Sequence, residues 1–484
     1  MSDEPHDSTV CIKDGASRFG TWTNRFRRRH LHSSVPAGSS STPNRAARVG
    51  ALCALTILVG PAPLLAASGK QRAAGAPEEQ MIVLAHTMGE TGQAVLSELA
   101  TRFMAEAGHG RTDKQPAARL VVRAIDGLND SGAQAELLLL KEEDSIRLLR
   151  RRNAIKPVHA LMREARLALD AVRPPDFVSP VVFDGQRRYN GLPLGYSTPV
   201  MFYNKTALAQ AGSDPERPPK TWLDWQDVLG RLRERGSTCP YTSADPVAVH
   251  VENLSAWHNE PVVERTRNGE GRLIINGLVQ IKHLAMMESW RKSHYLRVFS
   301  REQEAVERFA AGDCQVMSAP ASTYVGLRQT PRLNLGVAPL PYHDDVRGAP
   351  RNTVAQGATL WATAGKSARA YAASARFIAF MLRPDIQLEW QRRTGFLGIS
   401  RSGLIAANTT ELMAPEFGAL RIAIEQLQNK PVTTDSAATR AFDTPEVRAL
   451  VRDELQKLWS GRDPAKKVLD DAVARSSGAC GHTC

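Results

Sequence analysis

Residues 193–222, with the sequence PLGYSTPVMFYNKTALAQAGSDPERPPKTW, place an apolar run next to two sets of helix signals. The run at 199–203, PVMFY, is short, apolar and rich in β-forming residues, which predicts a buried strand. Thr206 can cap a helix over residues 207–211, and Gly212 can take the left-handed conformation that ends a helix. This part of the stretch therefore predicts a strand followed directly by a short helix.

A second helix follows after a break in the pattern. Pro218 and Pro219 stop any continuation of the first helix, because proline has no backbone N–H to donate. Thr221 can then cap a new helix, in which Trp222 and Trp225 recur at helical spacing. The two tryptophans are predicted to face a core.

The rest of the chain alternates between strand and helix signals up to residue 152. This alternation is typical of an α/β lobe with a largely parallel sheet. The strand at 199–203 then begins a second, helix-rich lobe, and two later strands return toward the sheets. The other predicted elements are strands at 81–86, 120–125, 137–140, 333–338 and 358–362, and helices at 91–104, 144–152 and 367–382.

The composition is that of an ordinary globular protein with a basic excess. Of the 484 residues, 42% are hydrophobic and 23% are charged, which suits two or three domains with sizeable cores. The formal net charge is +12, and such an excess can attract anionic solutes or a membrane surface. No aromatic-basic repeat or reader motif accompanies it, so we expect no nucleic-acid partner.

The N-terminal part has the pattern of an export signal behind a long extension. Residues 1–50 are rich in Ser, Arg and Pro, which predicts a disordered extension. Residues 51–67 are apolar and end in small residues, which predicts a signal peptide and export to the periplasm. The alternative is a retained N-terminal anchor, although Pro61 and Pro63 interrupt the run and leave it short for a membrane span.

A set of short motifs resembles the solute-binding proteins of bacterial ABC importers, and more closely those members that bind glycerol-3-phosphate. The resemblance covers roughly residues 80–475, and although each motif alone is weak, their fixed order is specific. The motifs are STPVMFYNK at 197–205, ENLSAW at 252–257, FAAGDC at 309–314, QGATLW at 356–361, RTGFL at 393–397 and VRDEL at 451–455.

The resemblance implies an α/β, two-lobed periplasmic-binding-protein fold, class II-like, with a ligand cleft between the lobes. Such a protein would be a monomer without cofactor or metal. It would hand a small solute to the permease subunits of an importer. The implied division is a first lobe of residues 80–190 and 316–365 and a second lobe of residues 191–315 and 366–475.

The resemblance also implies which residues bind the ligand. Ser197 would contact the ligand, Gly357 would let backbone approach it, and Arg440 would be the two-pronged donor to a phosphate. An acidic residue after the third strand would bind hydroxyl groups; Glu142 or Glu143 falls there, and Glu143 is preferred. Each residue also has a structural alternative, such as a turn hydroxyl, a bulge glycine or a solvated charge.

Three further cleft residues are expected at positions where this chain departs from the family pattern or keeps only part of it. Ser322 lies in the counterpart of a hydroxyl-rich loop, and Phe396 replaces a tyrosine. Asp245 and Ala248 stand near two missing cleft tryptophans, so that only Trp257 remains. A lost hydrogen-bond partner costs about 1 kcal/mol, so these changes can redirect the ligand to another polyol phosphate or a sugar.

Cys239 and Cys314 are the two cysteines of the expected folded body. Both fall where the resembling family has cysteine, and export permits disulfides, so we predict a bridge rather than two free buried thiols. Cys480 and Cys484 flank a segment that contains His482, but their spacing is not that of a usual metal site. A frayed tail is the preferred interpretation.

The resulting prediction is the extracytoplasmic solute-binding component of an ABC importer. It would close by hinge motion on glycerol-3-phosphate, or on a related polyol phosphate or sugar, and deliver it to a permease. No enzyme is expected, because G-x-S-x-G, H-E-x-x-H and complete P-loop motifs are absent; AGKS at 364–367 is interpreted as a helix cap. The alternative is a sensor or scaffold that keeps the fold and has lost the ligand.

Overall fold

A computed structural model describes residues 80–109, 118–128, 134–169, 182–265, 271–398, 413–431 and 445–479. The predicted extension, the signal segment, Arg440 and the C-terminal cysteines with His482 lie outside these residues. Within the described ranges, no helix is both long and apolar enough to cross a bilayer.

Two larger sheets with flanking helices make up the described part of the chain. The strands are β1 (Gln80–His86), β2 (Ala118–Ala124), β3 (Leu137–Leu140), β4 (Ile155–Lys156), β5 (Leu192–Ser197), β6 (Pro199–Asn204), β7 (Tyr241–Ser243), β8 (Val263–Arg265), β9 (Gly271–Leu273), β10 (Val316–Pro320), β11 (Leu335–Ala338) and β12 (Gln356–Thr363). Every predicted strand overlaps one of these and begins within two residues of it.

The described residues form fourteen α-helices, of which four begin within three residues of the end of a strand. They are α1 (Gly89–His109), α2 (Glu142–Leu149), α3 (Val158–Glu164), α4 (Lys205–Gln210), α5 (Trp222–Glu234), α6 (Leu254–His258), α7 (Leu278–Lys292), α8 (Glu302–Ala310), α9 (Tyr324–Leu327), α10 (Ala368–Met381), α11 (Pro384–Thr394), α12 (Gly418–Leu427), α13 (Pro445–Trp459) and α14 (Ala465–Ala479). A π-helix spans Ala248–Asn253, and 3-10 turns lie at Ala321–Thr323 and Pro415–Phe417.

The first sheet has the strand order β2–β1–β3–β12–β4, and β5 also pairs with β12. β1 runs parallel to β2 and β3, as the alternation of strands and helices predicts. β12 runs antiparallel to β3, β4 and β5, so the prediction of a largely parallel sheet is wrong for this half. One apolar core, which includes Leu96, Phe377 and Trp390, packs α1, α10 and α11 against the sheet.

The second sheet has the order β11–β6–β10–β7. β6 is antiparallel to both of its neighbours, whereas β10 and β7 are parallel. Trp222 and Trp225 pack into the core beside this sheet, as their helical spacing predicts. A further core joins α13 and α14 to α7 through residues such as Leu284 and Leu455, which places the C-terminal helices with the second lobe.

Strand pairing moves three of the predicted lobe boundaries. β5 pairs with β12, so the first segment of the first sheet extends to Ser197 rather than to residue 190. β10 and β11 pair with β6, so the chain rejoins the first sheet at Gln356 and not at residue 316. α10 and α11 pack on the first sheet, although the predicted division places them in the second lobe. Local sequence signals indicate where a strand lies but not which strand it pairs with.

Capping in the stretch 193–222 follows the sequence in one helix and differs in the other. Thr221 Oγ1 accepts a hydrogen bond from the Asp224 N–H at 3.0 Å and caps α5, as predicted. The cap of α4 is Asn204, whose Oδ1 accepts from the N–H groups of Thr206 and Ala207. The prediction of Thr206 as the cap is therefore wrong, because Asn204, the last residue of β6, already accepts from the two N–H groups at the start of the helix.

The structure joins Cys239 and Cys314 by a disulfide with an S–S distance of 2.08 Å. The two cysteines lie just before β7 and β10, which are parallel neighbours, and both are buried. The bridge spans a sequence separation of 75 residues. A cross-link over so long a loop stabilises the fold mainly by restricting the unfolded chain.

Candidate functional site

A cleft of about 770 Å³ lies between the two sheets. One wall consists of residues 87–89, 125–127 and 141–147, which follow β1, β2 and β3. The carboxyl ends of parallel strands are where open α/β sheets form ligand crevices. The opposite wall includes Asp245 and Glu302 from the second lobe. The volume lies within the range of small-molecule sites.

The cleft floor is the crossing between β5 and β6. Ser197 Oγ accepts a hydrogen bond from the Ser322 backbone N–H at 3.1 Å. Thr198 Oγ1 donates to the Val354 carbonyl at 2.9 Å. The predicted ligand residues Ser197 and Ser322 are therefore neighbours, and the Ser197 hydroxyl can still donate its proton to a ligand oxygen.

Gly357 also lines the cleft, and the structure gives a reason for its identity. It lies opposite Tyr196 where β12 pairs with β5. A Cβ at this position would lie 2.0 Å from the Gly195 carbonyl oxygen. Glycine is therefore needed for the close approach of the two strands, whether or not a ligand is bound.

Arg448, in the first turn of α13, contacts acceptors from both lobes. Its Nη1 lies 2.6 Å from each carboxylate oxygen of Glu252 and 2.9 Å from Gln356 Oε1. Its Nη2 lies 2.8 Å from Asp245 Oδ2. Its Nε lies 3.8 Å from Glu143 Oε1. The guanidinium therefore bridges the π-helix, β12 and α2.

Burial sets the electrostatics of this cluster. Glu252 is fully buried, and burial raises the pKa of its carboxyl, while the Arg448 charge acts in the opposite direction. Burial also disfavours the charged form of Arg448, but Glu252 and Asp245 outweigh this effect and raise its pKa. The two form a desolvated ion pair, in which loss of either partner leaves a buried charge uncompensated.

The described lining of the cleft is more acidic than basic, in contrast to the chain's net charge of +12. Three of its carboxylates lie in the first turn of α2, where they suit the positive end of the helix dipole. The lining carboxylates are Asp126, Glu142, Glu143, Asp144, Asp245 and Glu302, and the cations are Lys141, Arg147, Arg448 and Arg452.

The structure brings most of the predicted ligand residues together. Those that line the cleft are Ser197, Ser322, Gly357, Glu143 and Phe396. Trp257 does not line it: the side chain is buried, and its Nε1 donates to the Leu340 carbonyl at 3.1 Å. The prediction of Trp257 as a cleft residue is wrong, because its helix turns the ring toward this carbonyl. Arg440 lies outside the described residues.

Sequence reasoning missed the Arg448 cluster, although some of its members lay in view. Glu252 and Gln356 open two of the quoted motifs, and Asp245 stands near a missing tryptophan. Arg448 is one residue from Val447 and three from Val451, both of which are buried on α13. A charged residue beside a buried helix face is the signal that could have identified it.

Comparison with known sequences identifies the family of the chain. A family model described as bacterial extracellular solute-binding protein matches residues 133–412. The sn-glycerol-3-phosphate-binding periplasmic protein UgpB of Escherichia coli O6:K15:H31 is 33% identical over 328 residues, or 67% of this chain and 75% of that protein. The protein of the same name from Yersinia pseudotuberculosis is 32% identical over 326 residues, or 66% of this chain and 74% of that protein.

Solved structures resemble the fold at lower sequence identity. UgpB from Mycobacterium tuberculosis in complex with glycerophosphocholine matches with a TM-score of 0.63 and 20% identity, over 83% of this chain and 98% of that chain. The cyclic alpha-maltosyl-1,6-maltose binding protein from Arthrobacter globiformis matches with a TM-score of 0.60 and 17% identity, with the same coverage. These matches confirm the predicted two-lobed fold. With the family model matched over more than half of its length, the chain belongs to the bacterial extracellular solute-binding proteins.

Proposed function

We propose that this chain is the periplasmic solute-binding component of an ABC importer, which captures a polyol phosphate or a sugar and delivers it to a membrane permease. Relatives at 32% and 33% identity are glycerol-3-phosphate-binding periplasmic proteins by name. One protein of similar fold is described in complex with glycerophosphocholine, and another is named as a cyclic alpha-maltosyl-1,6-maltose binding protein. Both ligand types are rich in hydroxyl or phosphate oxygens, which the polar groups of the cleft can bind.

The observation that carries the proposal is that both lobes line one cleft. Glu143 belongs to the first wall, whereas Ser322 follows a strand of the second sheet. A solute that contacts both gains all its contacts only when the lobes are close together. The solute then favours the closed form by its differential affinity for the two forms.

Catalysis is not part of the proposal. Among the described residues that line the cleft there is no histidine or cysteine, two common choices for base and nucleophile. The AGKS segment serves as a helix cap, because Ser367 Oγ accepts from the Ala370 N–H at 3.1 Å. The solute is proposed to leave the cleft chemically unchanged.

Thermal unfolding of the full chain with a ligand panel tests the proposal. The panel contains glycerol-3-phosphate, glycerophosphodiesters and maltose. A compound that binds only the folded state raises the Tm once its concentration exceeds its Kd. At 100 times Kd, binding adds about 2.7 kcal/mol to the free energy of unfolding. We expect at least one panel member to raise the Tm.

Two glycine variants locate that binding. Gly127 lines the cleft, and the nearest atoms to an added Cβ are the Asp144 carboxylate oxygens at 3.7 and 3.8 Å. Gly127→Trp should therefore fill the cleft and abolish the ligand-induced shift. Gly185→Trp is the matched control, since Gly185 is exposed with no atom within 4 Å of an added Cβ. No shift with any compound would contradict the proposal and favour the sensor; a shift that survives Gly127→Trp would move the site elsewhere.

A further inference from the structure

If the proposed function holds, the contacts of Arg448 indicate how much negative charge the ligand carries. A guanidinium binds a phosphate best when two parallel N–H groups are free to donate to it. Here Nη1 donates to Glu252 and Gln356, and Nη2 donates to Asp245. Nη2 carries a second N–H, and Nε faces Glu143 Oε1 at 3.8 Å, which is an ion-pair distance and not a hydrogen bond. All three nitrogens of the guanidinium thus face protein acceptors, which come from both lobes.

The other cations of the described cleft offer little more. Arg147 pairs with Asp144 at 3.1 Å, and Arg452 pairs with Glu143 at 3.4 Å. Lys141 is the one lining cation, within the described ranges, whose side chain has no carboxylate at salt-bridge distance. A single exposed ammonium can accompany one negative charge of a ligand, but a dianion would face the excess of carboxylates in the same cleft.

Phosphomonoesters and phosphodiesters differ in this respect. A phosphomonoester carries about −1.5 to −2 charges at pH 7, because its second pKa is about 6. A phosphodiester has no second ionisation and keeps one negative charge, and a sugar has none. The hydroxyl groups of phosphomonoesters, phosphodiesters and sugars can all form hydrogen bonds with Ser197 and the cleft carboxylates. The three ligand classes differ in charge, so charge is the property by which the cleft can discriminate between them.

We propose that Asp245 and Glu143, one from each lobe, are specificity determinants that hold Arg448 away from the ligand. The charges of the described lining then favour a hydroxyl-rich solute with at most one negative charge, such as a glycerophosphodiester or a sugar, over a phosphomonoester dianion. Glu252 accepts hydrogen bonds from Nη1 of the arginine. Asp245 and Glu143 face Nη2 and Nε, the two nitrogens that could otherwise donate to a phosphate.

Calorimetric titration at pH 7.5 and fixed ionic strength tests this selection. The probes are glycerol-3-phosphate, glycerophosphocholine, glycerophosphoglycerol and maltose. The unchanged chain should bind at least one diester or maltose about tenfold or more tighter than glycerol-3-phosphate, the scale of one charge-assisted hydrogen bond. Equal or tighter binding of glycerol-3-phosphate would overturn the inference but leave the proposed function standing. Failure of every probe to bind would overturn both.

A double variant tests the two carboxylates directly. Asp245→Asn with Glu143→Gln keeps the shapes and removes the charges that hold Arg448, so glycerol-3-phosphate should bind about tenfold tighter than to the unchanged chain. Diester binding should change much less. The matched control is Glu264→Gln, an exposed carboxylate on β8 that pairs with Arg272 and should change neither. Weaker glycerol-3-phosphate binding by the double variant would overturn the inference.

A pH series on the unchanged chain gives the same decision if the double variant does not fold. Between pH 7.5 and 5.5 glycerol-3-phosphate loses most of its second charge, while the diester keeps the same charge. Burial raises the pKa of the lining carboxyl Glu302 to about 7, so the cleft also loses negative charge over this range, and the diester serves as the reference for that change. The ratio of the Kd for glycerol-3-phosphate to the Kd for the diester should therefore fall several-fold. A ratio that stays constant or rises would overturn the selection by charge.

Discussion

The identity of Gly357 is required by a neighbouring strand as well as by its position in the cleft. The resemblance singled it out as a place where backbone approaches the ligand, and it does line the cleft. An added Cβ would nevertheless lie 2.0 Å from the Gly195 carbonyl oxygen and 2.6 Å from the Tyr196 Cα. This contact comes from strands that are far apart in sequence, so no local pattern could have predicted it.

Gly357→Ala should therefore destabilise the fold even without ligand. Strands β5 and β12 would have to move apart, and overpacking of this kind costs about 1–3 kcal/mol. The free energy of unfolding, measured by urea denaturation, checks the prediction. Gly185→Ala is the matched control, because its exposed position should keep the effect within about 0.5 kcal/mol. Equal stability of the two variants would contradict the close-approach explanation.

The role of Arg448 could not be predicted from the sequence. Ser197, Ser322 and Gly357 could be placed in the cleft because each lies in or near a short motif. The partners of Arg448 are distributed over the π-helix, the loop after β7, β12 and α2. Its role therefore became visible only when these elements came together.

At the scale of elements, four buried histidines connect the π-helix, α6, α7 and the segment after β11. His250 Nδ1 lies 3.0 Å from His283 Nε2, and His283 Nδ1 lies 3.1 Å from His343 Nε2. His258 Nε2 accepts from the His343 backbone N–H at 2.8 Å. Burial lowers the pKa of His250 to about 3 and the pKa values of His258 and His343 to about 4. The fold therefore requires neutral rings.

The second lobe should lose stability as the pH falls below about 6.5. In that range the histidines of the unfolded chain bind protons, whereas the buried histidines of the folded chain stay neutral. The free energy of unfolding therefore falls by about 1.4 kcal/mol per pH unit for each buried histidine, until the pH reaches its pKa in the folded state. His343→Gln should reduce this slope by about that amount between pH 6 and 4.5. Urea denaturation across the pH range measures it.

Comparison with an exposed histidine isolates the buried group. His294 is exposed just after α7, so His294→Gln is the control for the loss of a histidine outside the buried cluster. Both variants lose one histidine and neither changes a carboxylate, so carboxylate titration contributes equally to each. If His343→Gln and His294→Gln give the same slope, the neutral-ring requirement does not hold at His343.

Elements with local signals were predictable, and those that depend on packing were not. The strand at 199–203 and the cap at Thr221 follow from residue type and spacing. The π-helix over Ala248–Asn253 was not foreseen, although the ENLSAW motif overlaps its end. π-Helical turns occur frequently at functional sites, and this one contains Glu252, whose carboxylate accepts from Arg448.

At the scale of the whole molecule, a few ion pairs join the lobes across the cleft. Arg150, which follows α2, makes two hydrogen bonds of 2.8 and 2.9 Å to Glu446 at the start of α13. Both side chains are partly exposed, so each such pair contributes about 0.2–1 kcal/mol. A hinge equilibrium with a small free-energy difference responds to contributions of this size.

Glu446→Gln should shift the unliganded chain toward a more open form. The pair can form only when the lobes are as close as in this structure, so weakening it removes stabilisation from that form alone. Small-angle scattering should give a larger radius of gyration, with the free energy of unfolding changed by less than about 1 kcal/mol. Glu234→Gln, an exposed carboxylate on α5, is the control; a radius equal to the control would contradict the role of the pair.

The position of β12 bears on how the chain assembles as it emerges from its N-terminus. β12 lies between β3 on one side and β4 and β5 on the other, so the first sheet consists of two separate halves until Gln356–Thr363 has been made. The second sheet has all four strands by Ala338. The sheet that begins first along the chain is thus the one that is completed last, and its strand edges stay open to other chains meanwhile.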